Sequence, residues 1–132
     1  MSLFPGELKP AFGGAMRTIE IDYEGQPPID AYGPGFVRVR GEVHEGCVLV
    51  GPDGAASWAG LADIAAIAAL AGRVDLVFLG TGAEIAALDS KARASLEKAG
   101  LAVEVMATPS ACRTYNVVLA EGRRVAAALI PV

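Results

Sequence analysis

Leu76-Val77-Phe78-Leu79, running at once into Gly80-Thr81-Gly82, and Val125-Ala126-Ala127-Ala128-Leu129-Ile130 are the stretches that decide the fold. Each is a near-continuous apolar run, the pattern of a strand covered on both faces rather than of one with a wet side. Val103 to Met106 is a third strand of the same kind. Between the runs lie helices with recognisable ends. Ser90 to Ala99 has Asp89 at its N-cap position and Gly100 just past its end, and Leu88, Ala92, Leu96 and Ala99 mark its core face. Thr108 is placed to cap a helix whose first position is Pro109. Strands and helices in alternation predict an α/β layered domain in which the three runs are neighbours in one sheet.

Upstream, Leu61 to Ala71 reads as an alanine-rich helix. Leu61, Ala65 and Ala68 share one face while Ile67 and Leu70 lie well round from it, so it is apolar on more sides than one sheet covers. Either a β layer wraps it, or a protein partner or a second copy docks through the Leu61–Ala71 region. Trp58 is an anchor for that partner if exposed, or a core residue if buried. Earlier still, Thr18 to Tyr23 and Phe36 to Arg40 alternate as half-buried strands, and Cys47 to Val50 is an apolar strand ended by Gly51-Pro52-Asp53-Gly54. Residues 1–16, with two prolines and three glycines, read as an N-terminal arm, and residues 17–132 as a single α/β domain.

Composition narrows the function classes. With 53% hydrophobic and 20% charged residues over 132 positions, the chain is globular and long enough to bury a core without staples. A net charge of −4 argues against nucleic acid or an anionic membrane surface as partner. The apolar run from Ile64 to Gly72 lies between Asp63 and Arg73 and is too short to span a bilayer, so no membrane insertion is expected. Glu7 and Lys9 precede any long apolar run, unlike a secretory signal, and Cys47 and Cys112 form no CxxC pair. Both point to a cytoplasmic, reduced setting.

Three segments together carry a resemblance: Gly80-Thr81-Gly82, the stretch Met106-Ala107-Thr108-Pro109-Ser110-Ala111-Cys112-Arg113-Thr114-Tyr115-Asn116, and Glu121-Gly122-Arg123. They resemble domain-of-unknown-function family 498, to which mitochondrial complex I assembly factor 3 also belongs. The resemblance extends over roughly residues 17–131. It implies a three-layer domain with a central mixed sheet, helices packed on it and an additional β layer from the N-terminal half. It implies an assembly or interaction role and brings no catalytic residue to transfer.

The candidate binding residues are Gly80, Thr81, Gly82, Arg113 and Asn116. The glycine loop ends a buried strand, where open α/β sheets bind ligands and backbone N–H groups can cradle an anion. Its structural reading is a tight turn, with the glycines supplying positive φ or close packing. No third glycine and no distant acidic residue complete a dinucleotide fingerprint, so no cofactor is expected. On the helix after Pro109, Ala111, Tyr115, Val118 and Leu119 share the core face, while Arg113 and Asn116 point elsewhere and are surface neighbours suited to a carboxylate or phosphate. Arg113 has its own structural reading as half of an ion pair. Cys112 sits early in the helix, where the dipole favours a thiolate, yet leans toward the core. His44 and Cys47 lack further ligands, so no metal is expected. Ser57, Ser90 and Ser110 lack the setting of a nucleophile, and Asp53, Asp89 and Glu121 sit in a turn, a cap and a last helical turn. No catalytic set emerges. The leading expectation is a non-enzymatic interaction or assembly module; the alternative is a small-anion-binding protein, or an enzyme, centred on Gly80–Gly82 and Arg113.

Overall fold

The computed structural model describes residues 25–132; the arm 1–16 and the Thr18–Tyr23 strand read from the sequence lie outside them. Three antiparallel strands come first: β1 (Ile29–Gly33), β2 (Phe36–Val39) and β3 (Glu42–Glu45). The β2–β3 turn is Arg40-Gly41, both at positive φ (54° and 79°), the handedness that matches strand twist in a two-residue hairpin. A second hairpin follows, β4 (Val48–Gly51) and β5 (Gly54–Ser57), in which the turn Gly51-Pro52-Asp53-Gly54 ends β4 and leads the chain back along it.

The chain then passes through a 3-10 turn, Gly60–Ala62, and a short helix, α1 (Ile64–Ala68). The helix expected over Leu61–Ala71 is thus broken: Asp63 adopts φ −116°, ψ 60°, outside the helical region, and Gly72 closes the segment at φ 84°. Ile67 and Leu70 are its core residues, whereas Leu61 and Ala65 face outward, the reverse of the face read from the sequence. Trp58 is buried and donates its indole N–H to the Asp63 carbonyl at 3.0 Å, fastening that break. From here strand and helix alternate: β6 (Leu76–Thr81), α2 (Ser90–Lys98), β7 (Ala102–Met106), α3 (Thr108–Ala120) and β8 (Val125–Ile130). Asp89 caps α2, accepting from the Ala92 N–H at 3.1 Å, and Gly100 at φ 95° ends it.

The larger sheet runs β5-β4-β8-β6-β7, parallel at β8-β6-β7 and antiparallel at β5-β4-β8. The three apolar runs are therefore neighbours, with β8 central and buried through Leu129. Alternate residues of the sheet feed two cores. Phe78, Val125, Ala127 and Leu129 meet Tyr115 and Leu119 of α3 and Val37 and Val39 of the small sheet. Val77, Leu79, Ala126 and Ala128 meet Ile67 of α1 and Leu96 of α2 on the other side. The architecture is three-layered, with α3 and the small β sheet on one face of the mixed sheet and α1 and α2 on the other. β7 is an edge strand; Ala102 and Glu104 are exposed, so it alternates where continuous burial was expected.

Candidate functional site

Gly80-Thr81-Gly82 meets the start of the Met106–Asn116 stretch where β6 ends and α3 begins, and a residue outside the candidate set joins them. Thr108, fully buried, accepts a hydrogen bond from the Gly82 N–H at 2.8 Å and donates its own hydroxyl to the Ile130 carbonyl at 2.6 Å. Its backbone N–H donates to the Gly82 carbonyl at 2.8 Å. Instead of capping its own helix, Thr108 is the first helical residue and clasps the ends of β6 and β8. Gly80 is required by proximity: a Cβ there would stand 2.7 Å from Thr108 Oγ1 and 2.9 Å from Thr108 Cα. Gly82 is required by conformation, at φ 103°. The Thr81 hydroxyl accepts from the Ala86 N–H at 2.8 Å and donates to the Glu84 carbonyl at 3.0 Å, shaping the loop that follows. The backbone donor of Gly82 that an anion would need is already engaged.

Asn116 looks away from this loop. Its Oδ1 accepts from the Ile29 N–H and its Nδ2 donates to the Ile29 carbonyl, both at 2.8 Å, so the side chain acts as a strand partner for the first residue of β1. Tyr115, one position earlier, donates its buried hydroxyl to the Pro27 carbonyl at 2.7 Å. Gln26 spans from the Tyr115 hydroxyl to the Val125 carbonyl. Together these sew residues 26–29 onto α3 and the start of β8. Arg113 is exposed, with the Ser110 hydroxyl 3.4 Å from its guanidinium. Gly80, Thr81 and Gly82 are thus joined to the root of α3 through Thr108, Asn116 is committed to β1, and Arg113 projects from the surface between.

Cys112 is buried, and loss of water pushes its thiol up to about 11 against a weaker opposing pull from Arg113; it behaves as a small apolar residue. Cys47 is half-buried and its thiol is also raised by burial. His44 lies 3.9 Å from Glu42, and no group of three metal-ligating side chains converges among the described residues. Asp53 is engaged in a two-pronged exposed pair with Arg73, at 2.6 and 2.8 Å, which holds its carboxyl below the ordinary range. Among the described residues no helix is long and apolar enough to cross a membrane. One shallow cleft of about 430 Å³ lies beside the loop after β6, lined by Ile85, Ala86, Ala87, Leu88, Arg93 and Val105.

A family model described as "Protein of unknown function (DUF498/DUF598)" matches residues 29–130. The chain belongs to this family. An uncharacterised protein of Rhodobacter capsulatus is 50% identical over 116 residues, covering 88% of this chain and 94% of that protein. NADH dehydrogenase [ubiquinone] 1 alpha subcomplex assembly factor 3 of Danio rerio is 46% identical over 59 residues, 45% of this chain but only 34% of the assembly factor. Among solved structures, a Bartonella henselae protein described as an outer membrane protein superposes with TM-score 0.74 at 34% identity, covering 82% of this chain and 97% of its own. A Bordetella pertussis protein described as a Mth938-like domain gives a TM-score of 0.72 at 27% identity, covering 88% of this chain and 92% of its own. The family therefore includes an assembly factor, and the three-layer α/β fold is shared with the Mth938-like domain.

Proposed function

We propose that this protein is a non-enzymatic, assembly-factor-like interaction module. The observation that carries the reading is the way the polar groups of the signature are used: Thr108, Gly82, Tyr115 and Asn116 all direct their hydrogen bonds to the protein's own backbone or to one another. Such a signature preserves a scaffold and the surface it presents, rather than a reaction centre. The kinship with complex I assembly factor 3 supports the same reading over the 59 matched residues. Its partners are accordingly proteins, and the outward-facing Leu61 and Ala65 of the 61–71 region are one candidate contact. A cytoplasmic location is part of this proposal, to be checked by cell fractionation because one structural relative is described as an outer membrane protein.

The test is affinity purification of the tagged full chain from its native cells, followed by size exclusion. A discrete heteromeric complex containing the same partner in repeated preparations is the expected result. Elution as a free protein, with no partner enriched over an untagged control, would overturn the reading.

A further inference from the structure

The edge of β7 is only half closed. In its parallel pairing with β6, the Ala102 N–H donates to the Asp75 carbonyl, so Ala102, Glu104 and Met106 spend their backbone groups on β6 while Val103 and Val105 turn theirs outward. A free row of this kind is a template for another strand, and proteins normally cover it. Here the covering is partial. Arg93 of α2 donates to the Val103 carbonyl at 2.9 Å, and Val103 is buried. Val105, two residues on, is half-buried, and no described side chain reaches its outward N–H and C=O.

The shallow cleft lies beside that open position. Ile85, 66% exposed, forms its rim with Ala86, Ala87 and Leu88, and Val105 and Arg93 complete it. Its single charge is the Arg93 guanidinium, with no carboxylate among the lining residues. Val103 and Val105 project to the same face of the sheet, and Arg93 stands at the Val103 end of the gap. We propose that this edge receives an extended segment of a partner protein. One apolar residue of the segment pairs with Val105 and fills the cleft, and an acidic residue two positions away meets Arg93. An added strand presents residues i and i+2 to one face, which is the spacing the apolar cleft and the cation require. The inference rests on the interaction-module reading and names the site and the chemistry of the partner.

The probes are the capped pentapeptides Thr-Val-Thr-Glu-Thr and Thr-Glu-Thr-Val-Thr, which offer the same pattern in both chain directions. Titrated into isotopically labelled full-length protein, one of them should shift the Val105 amide saturably, slow its hydrogen exchange and move the resonances of residues 85–88. Replacing the peptide's Val by Ser should abolish the response, and Glu by Gln should weaken binding by about tenfold. Val105→Pro, which removes an N–H that β6 does not use, and Ile85→Asp, on an exposed side chain, should each eliminate binding. Ile85→Asp carries the test if Val105→Pro fails to fold. No Val105 response at millimolar peptide, or an equal response to the Ser and Gln peptides or in Ile85→Asp, would overturn the inference. In that case a complex captured from native cells would still uphold the interaction reading, with its contact elsewhere.

Discussion

Replacing Thr108 by Val tests the clasp between β6, α3 and β8 with almost no change of volume. The hydroxyl accepts from Gly82 and donates to Ile130 at 2.8 and 2.6 Å, and the residue is fully buried. Valine fills the same space, so no cavity arises, but the buried Gly82 N–H is left without a partner. An orphaned buried donor costs about 1–3 kcal/mol, more than the net worth of the bond itself, because water cannot replace the lost acceptor. In a domain of this size each kcal/mol corresponds to about 4 °C, so the melting midpoint should fall by about 4–12 °C. Thermal melts and urea titrations read the loss, and hydrogen exchange at the Gly82 amide reads its location. Thr108→Ser keeps the hydroxyl and should recover most of the stability. The reasoning is refuted if Thr108→Val melts with the wild type while Gly82 stays protected, or if Thr108→Ser is as damaging as Thr108→Val.

Gly80→Ala should strike the same clasp by crowding: its methyl group would stand 2.9 Å from the Thr108 Cα, which cannot rotate away. A loss of about 1–3 kcal/mol is expected from the urea midpoint at unchanged m. Cys112 gives a pH signature. Its folded thiol is raised to about 11, so the folded state holds its proton longer than the unfolded chain. That contribution is complete below the ordinary thiol range and is lost as pH rises toward about 11. Melts from neutral to alkaline pH should therefore fall more steeply in the wild type than in Cys112→Ala; identical slopes would contradict the burial assigned to it.

What the sequence revealed and what it hid follow from the range of the interactions. β6 and β8 were visible because burial on both faces imposes a local apolar run, and α2 because Asp89 and Gly100 act within one turn of its ends. β3 and β5, reading Glu-Val-His-Glu and Gly-Ala-Ala-Ser, carry no clean apolar alternation and exist because neighbouring strands pair with them. Over Leu61–Ala71 the sequence suggests a longer helix than forms because alanine fits a helix anywhere, whereas the break at Asp63 is fastened by Trp58 reaching its carbonyl. For the candidate site, the tight turn at Gly80–Gly82 is legible from the glycines, but their partner Thr108 lies 26 positions beyond Gly82, and its place before Pro109 suggests only a local capping role. Asn116 was legible as off the core face of α3. Its partner Ile29 is 87 positions away, a pairing that no periodicity announces. A threonine directly before a helix-starting proline, together with a glycine-threonine-glycine strand end, was the available signal for the clasp.

The central claim is that the signature's polar residues maintain a scaffold instead of binding a ligand, and Arg113 and Asn116 separate the two most directly. Melts of the wild type, Arg113→Ala and Asn116→Ala should be compared with and without a panel of phosphates and carboxylates. Asn116→Ala strips both partners from the buried Ile29 backbone and should lose about 1–3 kcal/mol. Arg113→Ala, on an exposed side chain, should stay within about 0.5 kcal/mol of the wild type. The account predicts that no anion in the panel raises any of the three midpoints. A saturable rise in the wild type that vanishes in Arg113→Ala would contradict it and establish an anion site at the root of α3.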